Sequence, residues 1–93
     1  MKFIENDAKI LINCDCIQKI VCGEYTSKAY GDQHWFVRAC YTDGETSDNL
    51  HNDIPSLELA YRLRDAIAER ILNPKIDGSI LSVTEIYNAI SKE

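Results

Sequence analysis

The sequence predicts an α+β fold, an antiparallel sheet of about five short strands in a meander, packed by one long helix plus a shorter C-terminal helix. Three observations predict it. Within His34 to Thr42 the apolar residues Trp35, Val37, Ala39 and Tyr41 fall at every second position, Leu59 to Ile71 repeat their apolar positions at three- and four-residue steps, and turn-forming pairs such as Asn6-Asp7 and Asp43-Gly44 separate the extended stretches. A chain of 93 residues suits one hydrophobic core. A single domain over 1–93 follows, with the meander over 1–50, the main helix over 56–72 and the second helix over 82–91.

Lys2 to Glu5 and Lys9 to Asn13 read as a hairpin around Asn6-Asp7. Asp15 supplies a turn within Cys14 to Ile17, and Gln18 to Tyr25 resumes an extended pattern with Ile20, Val21 and Cys22. Thr26 to Gln33 is polar, contains Gly31 and is long for a hairpin connection. In the next strand Trp35, Val37, Ala39 and Tyr41 share the face expected to be core, and His34, Phe36, Arg38, Cys40 and Thr42 share the other. Asp43-Gly44 is expected to form a two-residue hairpin turn leading into a short polar edge strand, Glu45 to Asn49.

Ser56 is placed to cap a helix running to about Leu72, with Glu58 in the first turn complementing the helix dipole. Leu59, Ala60, Leu63, Ala66, Ile67 and Ile71 form its apolar stripe, and Asn73-Pro74 ends it. After an Asp77-Gly78 turn, Ser82 and Glu85 fit a capping box for a second helix whose apolar side is Val83, Ile86, Tyr87 and Ile90.

Ten basic against fifteen acidic residues give a net charge of -5, the wrong sign for nonspecific phosphate attraction, so nucleic acid is not an expected partner. No apolar stretch approaches the ~20 residues that a bilayer requires, and charge at Glu5 and Asp7 precedes any run of signal-peptide length. A cytoplasmic protein is expected, with no membrane partner. In that setting Cys14, Cys16, Cys22 and Cys40 are expected to be reduced and to fill apolar space. A zinc-binding domain through these four is an alternative, although their spacing lacks a second knuckle pair.

A thiol enzyme using His34 as base is disfavoured by strand geometry. Cys40 lies six positions along the same strand, roughly 20 Å away, and Cys22 is offset by about 10 Å if Tyr25 pairs with His34. No catalytic residues and no cofactor are expected. The acidic run Asp43, Glu45, Asp48 and Asp53 does not match a calcium loop and reads as a solvated edge that could meet a basic partner surface. Arg62, Arg64 and Arg70 alternate with Glu58, Asp65 and Glu69, as on an exposed, ion-paired helix face.

The candidate binding residues are Tyr25, Lys28, Tyr30, His34, Arg38 and Tyr41. Tyr25, Tyr30, His34 and Trp35 bracket the long loop, and Tyr and Trp are enriched where binding energy concentrates; Trp35 itself is assigned to the core. The expected function is a non-catalytic interaction module that binds another protein. The alternative is a small-ligand binder with a pocket between sheet and helix, lined by Tyr25, Trp35, Arg38 and Tyr41. The short edge strands also leave room for a homodimer by strand pairing.

The order of elements, carried by Lys9-Ile10-Leu11-Ile12-Asn13, the Asp43-Gly44 hairpin and Ser56-Leu57-Glu58, resembles short bacterial and phage proteins, some with a PH-like roll. The resemblance implies only a fold, an N-terminal meander before a single long helix, and it lends no catalytic residues. The second helix after Lys75 departs from it. A bacterial or phage regulatory or inhibitory role is expected instead from the small size, the acidic charge, the aromatic loop and the lack of a catalytic set.

Overall fold

A computed structural model describes residues 2–29, 31–76 and 78–92. It is α+β with two helices, as the periodicities predict, but the strands divide differently. In place of one five-stranded meander there are two three-stranded sheets. The first contains β1 (Phe3–Glu5), β2 (Leu11–Asn13) and β6 (Ile80–Ser82) in the order β2-β1-β6. The second contains β3 (Ile17–Thr26), β4 (Gln33–Tyr41) and β5 (Ser47–Ile54) in that order, all antiparallel.

The split has a local cause. A 3-10 turn over Cys14–Cys16, in which the Asn13 side chain accepts from the Asp15 amide at 3.0 Å, reorients the chain between β2 and β3. The β1–β2 hairpin therefore leaves the meander and receives its third strand from the far end of the chain, where Ile4 pairs with Leu81 in a parallel ladder. β6 escapes the sequence reading because three residues are too few to show a period, and its last residue doubles as a helix cap.

Two strand boundaries also move. β5 runs past Asn49 to Ile54, because Leu50 and Ile54 are fully buried and draw the strand across the core. The β4–β5 connection is not a two-residue turn. Asp43 accepts from the amides of Glu45 and Thr46 at 2.9 Å each, and the Tyr41 amide donates across to the Thr46 carbonyl at 3.0 Å, giving a four-residue loop with Gly44 at φ 77°. Asp77 of the expected second turn lies outside the described residues.

The α1 helix (Leu57–Leu72) begins where expected, with Ser56 Oγ accepting from the Leu59 amide at 3.2 Å. Its buried residues Ala60, Leu63 and Ile67 follow the stripe read from sequence and lie against the inner side of the β3–β4–β5 sheet. Val37 and Ala39 of β4 are fully buried beneath them, and Trp35 and Tyr41 pack at either end of the same row. The α2 helix (Val83–Ser91) is capped by Ser82, packs on α1, β1 and β5, and buries Val83 and Ile86. Arg62, expected on a solvated face, instead donates to the Ile90 carbonyl at 3.3 Å, near the negative end of α2.

Two polar ties hold the hairpin to this core. Asn6 is almost fully buried and satisfied: its Oδ1 accepts from Ala8 and Ile10 amides at 3.1 and 2.9 Å, and its Nδ2 donates to the Asn49 carbonyl at 3.1 Å. Nearby, the His51 ring stacks on Tyr87 at 4.1 Å, with a buried Nδ1 3.9 Å from an Asp7 oxygen and without a hydrogen-bond partner among the described residues. Burial holds the His51 pKa below its ordinary value of 6.5, outweighing the opposing pull of Asp7 and Asp53.

Truncating Leu63 to alanine is expected to lower stability by about 3 kcal/mol, since it empties a fully buried site. The same change at Leu72, which is 80% exposed, should alter it by no more than about 0.5 kcal/mol. Urea unfolding of the two variants checks the contrast. His51 gives a pH dependence: its folded pKa is depressed, so as pH falls below 6.5 the unfolded chain takes up the proton first and stability declines. Melting temperatures between pH 7.5 and 5.5 should fall more steeply for the wild type than for His51→Phe, which keeps a ring on Tyr87 and cannot titrate.

Candidate binding face

Strand alternation fixes what the outer side of the β3–β4–β5 sheet displays. With Trp35, Val37, Ala39 and Tyr41 turned inward, His34, Phe36 and Arg38 must turn outward, and the register pairs Tyr25 with His34 and Gly23 with Phe36. Both helices pack on the inner side. The outer side carries a ladder of half-exposed rings: His34 stacks on Tyr25 at 5.9 Å, Tyr25 lies 6.2 Å from Phe36, and the Arg38 guanidinium sits 4.6 Å from the Phe36 ring centre.

Gly23 makes the ladder possible. A Cβ there would lie 2.3 Å from the Phe36 ring, so only glycine lets the ring lie flat across β3. Residue Asp53 closes the opposite side. It adopts a left-handed φ of 57°, where the β4–β5 register shifts, and its carboxylate accepts from the Tyr25 hydroxyl while its amide donates back to that oxygen at 3.1 Å. The bond to Asp53, followed by burial, raises the Tyr25 phenol above its ordinary pKa. Arg38 Nε donates to Asn49 Oδ1 at 2.8 Å, and Asn49 in turn donates to Asn52 at 2.7 Å. These residues enclose an open concavity of about 430 Å³ lined by Tyr25, Phe36, Arg38, Asn49, Asn52 and Asp53.

Of the residues read from sequence, Tyr25, His34 and Arg38 meet on this face. Tyr41 does not join them. It points inward, donates to Asp48 Oδ2 at 2.6 Å, and has its phenol pKa raised by burial and by that bond; it borders a separate hollow with Ile12 and Cys16. Lys28 is exposed in the β3–β4 loop, which closes through a Ser27 amide bond to the Asp32 carbonyl at 2.8 Å. Tyr30 lies outside the described residues.

The pocket expected between sheet and helix does not assemble, because Tyr25 and Arg38 face outward while Trp35 and Tyr41 face inward. The gap that opens between β3 and α1, about 300 Å³, is lined by Ile17, Ile20, Arg64, Ala68 and Ile71 among others, and by none of those four. The cysteines are free and separated: Cys14 is buried, Cys16 exposed, Cys22 turned inward opposite Val37, and Cys40 turned outward. Burial raises the thiol pKa of Cys14 and of Cys22. Among the described residues no group of three or more His, Cys, Asp or Glu side chains is placed to hold a metal ion.

Phe36, placed by alternation on the face of His34 and Arg38, was not among the candidate binding residues, and neither were Asn49, Asn52 and Asp53. Two signals pointed there: a glycine inside a strand opposite an aromatic, and the period-two row His34, Phe36, Arg38. No protein-family model matches the chain, and neither the curated proteins nor the solved structures contain a significant match.

Tyr25→Phe removes the hydroxyl that both gives and takes a hydrogen bond at Asp53. A loss of about 1 kcal/mol is expected, modest because the pair is exposed to water. Chemical denaturation measures it, and an unchanged midpoint would show that Asp53 holds its backbone without the phenol.

Proposed function

We propose that this chain is a non-catalytic interaction module that binds another protein through the outer face of the β3–β4–β5 sheet. The observation that carries the reading is the half-exposed ladder of His34, Tyr25, Phe36 and Arg38 on a face that neither helix covers. Large planar side chains and arginine supply most of the energy at protein interfaces, because they bury much surface at little entropic cost. Here they are also held in advance, by Gly23 beneath Phe36, Asp53 beside Tyr25 and Asn49 beside Arg38. A partner therefore meets an ordered surface, and little further freedom is lost on binding.

The separation of Cys22 and His34 onto opposite faces supports the non-catalytic part of the reading, since the thiol that lies closest in register is out of reach of that imidazole. Four free cysteines suit a reducing compartment such as the cytoplasm. The reading extends to a bacterial or phage regulator that acts by occupying a partner's surface.

Affinity capture from native extract tests the proposal. A Tyr25→Ala/Phe36→Ala double variant should recover the partner at least about tenfold less well than the wild type, as loss of two central aromatic contacts implies. Tyr61→Ala, on the exposed side of α1, should recover it normally. Equal recovery by the double variant, with an unchanged circular dichroism spectrum, would remove this face from consideration.

A further inference from the structure

We infer that the outer concavity recognises a charge-paired, extended stretch of the partner protein, with an acidic side chain set on Arg38 and a basic one set on Asp53. The inference rests on the face described above being the binding face, and adds what that face selects.

Arg38 carries the first half. Its guanidinium is half-buried, lies over the Phe36 ring and is oriented by Asn49, yet among the described residues no carboxylate pairs with it. A cation withdrawn partly from water without a counterion is poised to gain from one. Only Nε is engaged, so both terminal amino groups remain to form the fork that fits a carboxylate.

Asp53 carries the second half. The Tyr25 hydroxyl engages one carboxylate oxygen and holds the group at the other end of the concavity, beside two aromatic rings that favour the stem and charge of lysine or arginine. An all-anionic ligand would meet Asp53 and an all-cationic one would meet Arg38. The site as a whole is close to neutral and accepts opposite charges in a set order.

Register sets the spacing. Asn49 stands opposite Arg38, whereas Ile54 stands opposite Trp35 and His51 opposite Val37, which leaves Asn52 and Asp53 together opposite Phe36. Phe36 and Arg38 are one two-residue step apart, about 7 Å along the strand. Alternate side chains of an extended peptide have that same spacing, so a ligand reading as acidic–any–basic, in either chain direction, matches the two backbone positions from which Arg38 and Asp53 project.

Selection of random linear peptides on phage against the immobilised full chain tests this. Enriched sequences should carry Asp or Glu and Lys or Arg separated by one residue. For a synthesised winner, Arg38→Gln and Asp53→Asn should each weaken binding about tenfold or more, with loss of the acidic and of the basic preference respectively. Arg38→Glu should be rescued by the peptide whose acidic residue is replaced by lysine, an outcome that a misfolded variant cannot give. Peptides without the charge pair, whose binding is lost only in Tyr25→Ala/Phe36→Ala, would overturn the charge reading and leave the face as a binding surface. Peptides indifferent to all these positions, or no enrichment over bare support, would overturn the charge reading as well, and native capture then decides the face independently.

Discussion

The contact between the inner row of β4 and the apolar stripe of α1 is the constraint on which the rest of the molecule depends. Val37 and Ala39 are fully buried under Ala60, Leu63 and Ile67, and each large side chain so removed from water contributes roughly 1.5 to 3 kcal/mol. Because strand side chains alternate, committing those two residues inward commits Phe36 and Arg38 outward. A slip of one residue would bury the guanidinium and expose the core row, so the energy that fixes the fold also fixes what the outer face displays.

The second sheet serves that contact from the side. Ile4 and Ile12 pair in the β1–β2 hairpin, and Leu81 in β6 joins them, adding buried surface that the β3–β4–β5 sheet and α1 leave open. The hairpin turn in turn covers part of the β5 edge, where the Asp7 amide donates to the Leu50 carbonyl at 3.1 Å and Asp7 accepts from the Asn52 amide at 2.9 Å. That covering matters for the outer face, since the amide accepted by Asp7 belongs to the wall of the concavity. Support thus passes from the hairpin through Asn52 to Asn49 and Arg38.

Elements with a long period were legible in the sequence. α1, α2 and the strand through Trp35 and Val37 could be placed because each repeats its apolar step several times and carries a serine cap or an alternation. Short elements were not. β1 and β2 were recognised through their turn and the β-branched residues of the second, and β6 not at all, because its reason for existing is a parallel partner more than seventy positions earlier in the chain. The site was legible in half for the same reason. Tyr25, His34 and Arg38 could be singled out by residue type, but Asn49, Asn52 and Asp53 join them only through a register shift in β5 that no local pattern encodes. Asn6 shows the limit most directly: it reads as an ordinary turn residue, and it is the buried polar tie between the two sheets.

Position 53 allows one more step. A left-handed backbone is most easily filled by glycine and next by asparagine or aspartate, so Asp53 holds its place at some conformational cost relative to glycine. The two hydrogen bonds to Tyr25 offset that cost, but they also require a tyrosine whose ring stays half-exposed on the outer sheet instead of entering the core. The carboxylate and the ring are thus held together on the same face as Arg38, which has no carboxylate partner among the described residues, and the proposed charge-paired recognition rests on that arrangement.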